Sequence, residues 1–125
     1  MTTSTITVRH IRPLVFAVVA SALFGATALR AEEPPFVGTW SLDPAQCTVG
    51  QENREAPLIL AKDRYDQHES HCVFKSVQQV ESDWTIAATC TIEGDELDYA
   101  FSLTVSGDTL TFTDSAGARD FLRCK

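Results

Sequence analysis

Apolar and polar residues alternate through most of the stretch from His71 to Val105, the two-residue period of a pleated strand. Trp84, Ile86, Ala88, Cys90 and Ile92 fall on one face of one segment. Leu97, Tyr99, Phe101, Leu103 and Val105 fall on one face of the next. Alternate side chains share a side of a sheet, so the two sets predict one continuous apolar surface. The same period marks Phe36–Leu42, Leu58–Ala61, a long strand from Tyr65 to about Val80, Thr109–Thr113 with Leu110 and Phe112 inward, and Arg119–Cys124. In the long strand the alternation slips between Phe74 and Val77, which predicts a bulge. Turns are expected at Glu81–Asp83, Glu93–Glu96, Ser106–Asp108 and Asp114–Gly117, where Gly and Asp supply tight-turn geometry. From Asp43 to Pro57 no apolar period exists, and no segment reads as a helix. The expected fold is all-β: an antiparallel meander of about seven strands that closes into a small barrel or flattened sandwich.

The first 31 residues carry a different pattern. Arg9, His10 and Arg12 precede the uncharged apolar run Leu14–Phe24, and small residues follow. This is the composition of a secretory signal peptide, with cleavage expected after Ala28 or Ala31. The apolar run is short of the roughly 20 residues of a membrane span. Residues 32–125 then form one domain, expected to act as a monomer in the periplasm or outside the cell, without a membrane. That domain holds seven basic and all seventeen acidic residues, a balance of −10. Such a surface repels nucleic acid and anionic lipid and steers basic partners.

Cys47, Cys72, Cys90 and Cys124 are even in number and all follow the leader. They lack the close pairs of a zinc site. In an oxidising compartment they imply two disulfides, with three connectivities open. A hairpin around Glu81–Asp83 sets Cys72 nearly opposite Cys90. In a seven-strand meander the first and last strands run in the same direction, which brings Cys47 and Cys124 to one rim. The expected pairs are Cys72–Cys90 and Cys47–Cys124.

Candidate chemistry is sparse. His68-Glu69-Ser70-His71-Cys72 is not H-E-x-x-H, and within a strand its two histidines point to opposite faces. There is no G-x-S-x-G, no P-loop, and no pair of acidic residues placed for glycoside hydrolysis. The expectation is a protein with no catalytic residues, metal or cofactor.

Gly38-Thr39-Trp40 resembles the G-x-W opening of the calycins, the lipocalin and avidin group of antiparallel barrels. The resemblance implies that Trp40 closes one barrel end and that a basic residue of the last strand, Arg123 or else Arg119, packs across it. The chain lacks the later calycin motifs and is shorter. So small a barrel is expected to be filled by its own Phe, Leu and Trp side chains. Ser115-Ala116-Gly117-Ala118-Arg119 is similar to the Ser-Gly-Ala-Arg segment of the periplasmic inhibitors of c-type lysozyme, with one Ala inserted and no later Lys-bearing strand. That likeness implies partner contacts at Ser115, Ala116, Gly117 and Arg119. The spacing of G-x-W, the cysteines and the last Arg-Cys also resembles small uncharacterised periplasmic proteins of alpha-proteobacteria.

Two functional readings follow from these features. The first is an exported, non-enzymatic module that binds a basic protein, in the manner of a lysozyme inhibitor. The alternative is a calycin-like carrier of a small apolar ligand. An interior cavity of a few hundred Å³ separates them.

Overall fold

The computed structural model describes residues 32–125, together with the isolated positions 2 and 25. The leader otherwise lies outside the described residues. Eight strands follow one another: β1 Gly38–Ser41, β2 Leu58–Leu60, β3 Arg64–Gln67, β4 Ser70–Val80, β5 Asp83–Ile92, β6 Asp95–Ser106, β7 Thr109–Asp114 and β8 Gly117–Arg123. Each pairs antiparallel with the next, and β8 returns to β1, so the sheet closes into a barrel. Closure removes the open edges that a meander would otherwise expose.

One strand more than expected is present because the Tyr65–Val80 segment is a hairpin, not a single strand. Its turn is His68-Glu69, with His68 in the left-handed region at φ 50°. The two histidines therefore do not share a strand. His68 sits in the turn, and His71 opposes Asp66 across the β3–β4 ladder. The slip in alternation is a bulge, with the β4–β5 register shifting between Phe74 and Ser76. Glu93 and Gly94 both take positive φ, the backbone of a two-residue hairpin that glycine favours.

The irregular stretch after β1 contains a 3-10 helix, Pro44–Thr48, which the sequence pattern does not predict. Five residues are too few to show a helical period. The local chemistry explains it: Asp43 caps Ala45 N–H at 2.8 Å, Gln46 reaches back to Asp43 N–H, and Pro44 occupies the first turn. Gln51 then ties the stretch to the β3–β4 turn. It accepts from His68 N–H at 2.8 Å and donates to the Pro57 carbonyl at 2.9 Å.

Inward residues match the alternation. Ile86, Ala88 and Cys90 of β5, Phe101 and Leu103 of β6, and Leu110 and Phe112 of β7 are all buried. They meet Phe36, Trp40, Leu58 and Leu60 from the opposite wall. A fully buried side chain of this size contributes about 1.5–3 kcal/mol.

Candidate functional site

The two barrel ends are built differently, and the difference begins with Gly38-Thr39-Trp40. Trp40 is fully buried and donates its indole N–H to the Phe36 carbonyl at 2.8 Å. Phe36 in turn stands edge-on to Trp84, ring centres 5.3 Å apart. Arg123, paired with Trp40 across the β1–β8 seam, lays its guanidinium 4.1 Å above the indole. The guanidinium also donates to the Pro35 and Val37 carbonyls at 2.9 and 3.3 Å. The glycine has a specific reason to be there. Gly38 has φ 149°, and a Cβ on it would stand 2.8 Å from Arg123 Nη1. Indole, guanidinium and glycine thus plug this end.

Both cysteine pairs are joined as disulfides: Cys47–Cys124, with Cα atoms 5.6 Å apart, and Cys72–Cys90, with Cα atoms 4.0 Å apart. Cys72 and Cys90 are direct cross-strand partners, both facing the core. The first pair forms for a reason other than strand direction. With eight strands β1 and β8 are antiparallel, so Cys124 lies beside Thr39, donating its N–H to that carbonyl at 2.8 Å. The 3-10 helix turns Cys47 back to meet it. The Ser41 hydroxyl lies 3.2 Å from Cys47 Sγ and 3.5 Å from Cys124 Sγ. The bonded sulfurs carry no hydrogen, so the hydroxyl is the donor.

The opposite end is open. A pocket of about 270 Å³ enters the barrel there, bounded by Leu58, Tyr65, Ser70, Ile92, Tyr99 and Phe112 and open to solvent on one side. The barrel is therefore not filled throughout by its own side chains. The extra strand widens it, since diameter grows with strand number. In addition, Phe101 and Phe112 stack at 4.7 Å with planes 13° apart, and Tyr99 lies over Phe112 at 28°. Rings stacked along one wall leave the middle of the mouth clear.

A polar cluster sits in this wall. Asp114, at the end of β7, has a side chain only 6% exposed. It accepts from the Tyr99 hydroxyl, from Arg119 Nη2 at 2.8 Å and from Ala116 N–H at 2.9 Å. Tyr65 donates to Gln67 Oε1 at 3.0 Å. The Tyr99 hydrogen bond holds the Asp114 carboxyl below the usual range, against its own desolvation and with help from Ala116 and Arg119. Burial pushes both phenols up; the Asp114 hydrogen bond adds to this for Tyr99.

Arg119 is not the partner of Trp40. It opposes Phe112, its guanidinium 5.2 Å from the ring centre, four residues along β8 from Arg123. At about 3.3 Å per residue that is roughly 13 Å toward the open end. Ser115 and Ala116 form the exposed β7–β8 turn on the rim, and Gly117 begins β8. The segment singled out in the sequence thus divides, its turn facing outward and its arginine joining the mouth. Tyr65, Tyr99 and Asp114 were not foreseen. They come from three strands, and only closure of the barrel brings them together.

The two tyrosines are the only ones in the chain, so phenol absorbance reports this mouth alone. A raised native pKa means that the fold holds the proton more tightly. The stability from these phenols is intact below about pH 10 and is lost as pH rises through their native values. Asp114 has the opposite sign: its contribution is present above about pH 4 and is lost as pH falls through its lowered native value. At about pH 10.5, where free tyrosine is mostly ionised, native protein should show less phenolate absorbance than unfolded protein. Ionisation of both tyrosines at the free value in folded protein would contradict the cluster.

Among the described residues no group of His, Cys, Asp and Glu side chains could hold a metal ion. His71 Nδ1 lies 2.9 Å from Asp66, and His68 Nδ1 lies 3.0 Å from the Gln51 carbonyl. Together the fold and these ends define an eight-stranded up-and-down barrel with one plugged end and one open mouth. No family model, curated protein or solved structure matches the chain.

Proposed function

We propose that this chain is an exported, non-enzymatic binding protein whose open barrel mouth takes up a small, mostly apolar ligand. The observation that carries the reading is the pocket of about 270 Å³, floored by Phe112, Phe121, Leu58 and the Cys72–Cys90 bridge. A concave apolar site with a few convergent polar groups is the usual form of a small-molecule site. The plug of Trp40 under the Arg123 guanidinium, beside Gly38, leaves one mouth open for a ligand and so favours this reading. Two disulfides support an oxidising compartment, the periplasm or the cell exterior.

The test is titration with nonanol, followed by calorimetry. Saturable binding at one site is expected, and Ser70→Trp should weaken it about tenfold or more, because Ser70 lines the mouth opposite Ile92. Equal binding by wild type and variant would count against the mouth as the site.

A basic protein partner is the second reading, favoured by the charge of −10 and the exposed Ser115–Ala116 turn. Charge would steer such an encounter, and salt would slow it. Full activity of a c-type lysozyme at low salt, with this protein in molar excess, would remove the inhibitor form of that reading.

A further inference from the structure

The hydrogen-bonding surplus at the mouth says what kind of head group fits it. Asp114 is fully engaged: Tyr99 and Arg119 donate to one of its oxygens and Ala116 N–H to the other. The Tyr65 hydroxyl proton goes to Gln67, whose own amide donates to the Ala56 carbonyl at 3.1 Å. Arg119 is different. Its fork donates to Asp114 at 2.8 Å and reaches the Tyr99 hydroxyl, and the side chain is 47% exposed at the pocket wall. A guanidinium has five N–H donors, more than these two contacts use, so Arg119 keeps donors to spare. The mouth therefore offers spare charged donors, and its spare acceptors are the uncharged hydroxyl oxygens of Tyr65 and Ser70.

Charge decides between the acceptors that could answer. Arg119 is already balanced by Asp114 at 2.8 Å. A carboxylate entering the pocket would be drawn to the guanidinium and repelled by Asp114 from nearly the same distance, leaving little net attraction. It would still lose its hydration on entering the barrel. The surrounding domain, at −10, adds to the repulsion. An ammonium head is drawn by the −10 domain at long range, but at the mouth Asp114 is taken and the exposed donors of Arg119 face it. An uncharged carbonyl oxygen accepts from the fork without either cost, in a hydrogen bond strengthened by the charge on its donor.

We propose that the ligand of this mouth is an uncharged amphiphile, with a carbonyl-type acceptor at one end for the free donors of Arg119 and an apolar tail for the Phe112–Phe121 floor. The inference rests on the small-ligand reading above and specifies its chemistry. The volume sets the tail. At the roughly 30 Å³ of a water-sized group, 270 Å³ holds about nine non-hydrogen atoms, so longer chains would project through the open side.

Three probes of similar length test it by calorimetry on the oxidised protein: methyl heptyl ketone, nonanoate and nonylammonium. The ketone should bind about tenfold tighter than either ion, the scale of one hydrogen bond to a charged donor. Arg119→Gln should cost the ketone about tenfold and, by leaving Asp114 without its cation, favour nonylammonium over nonanoate. Should that variant not fold, Arg119→Lys keeps the charge opposite Asp114 but removes the fork, and the ketone should lose most of its advantage over the two ions. Nonanoate binding as tightly as the ketone would overturn the inference and leave the small-ligand reading standing. Binding by none of the three would overturn the small-ligand reading itself.

Discussion

Replacing Cys47 and Cys124 together by serine should lower the free energy of unfolding by about 4 kcal/mol. The bridge closes 77 residues of chain, against 18 for Cys72–Cys90, whose removal should cost about 3 kcal/mol by the same loop-entropy argument. Its position magnifies the effect. The β1–β8 seam has only two register pairs, Trp40 with Arg123 and Ser41 with Leu122, whereas β5 and β6 share ten. The disulfide therefore clamps one of the two narrowest pairings in the closed sheet, β2–β3 being the other. A domain of this size has roughly 5–15 kcal/mol in total, so the double variant should show a sharply lower denaturant midpoint. An unchanged midpoint would mean that the seam holds without the bridge.

Trp40→Ala should be comparably severe, at about 3–5 kcal/mol, because a fully buried indole leaves a cavity that the rigid barrel cannot collapse into. It also leaves the Phe36 carbonyl without its donor and Arg123 without the ring beneath it. The supporting residues should follow in order. Arg123→Ala gives up the indole contact and two carbonyl bonds, for about 2 kcal/mol. Gly38→Ala should weaken the same plug, since its methyl group would occupy the place of Arg123 Nη1. Thermal unfolding of the three variants checks the order. A Trp40→Ala protein as stable as wild type would contradict the plug.

The inward faces of the strands and the G-x-W plug were the most legible in the sequence, and for a physical reason. Alternation places Trp84, Ile86 and Ala88 on one face wherever the strand sits, and G-x-W needs only its own neighbours and one arginine to act. What the pattern hid was non-local or lacked a marker. The His68-Glu69 turn carries no Gly, Pro or Asn, so two strands read as one. That single miscount reversed the direction of the last strand relative to the first. The cysteine pair nevertheless forms, because the Pro44–Thr48 helix supplies the return path. Asp114 looked like an ordinary turn residue. Its burial depends on Tyr99, fifteen residues earlier on β6, and on Arg119, five later on β8, contacts that the turn pattern alone does not mark. The emptiness of the mouth was likewise invisible, since inward Phe and Tyr side chains predict filling unless they are known to stack along the wall.

The central claim is that one end of this barrel is plugged and the other receives a ligand. Nitrogen-15 amide spectra recorded while methyl heptyl ketone is added test it most directly. The account predicts saturable shifts at Tyr65, Ser70, Ile92, Tyr99, Phe112 and Arg119, with the Trp40 indole N–H unmoved. Shifts confined to outward side chains such as Val73, Val80 and Leu122, or no saturable shift at all, would contradict it.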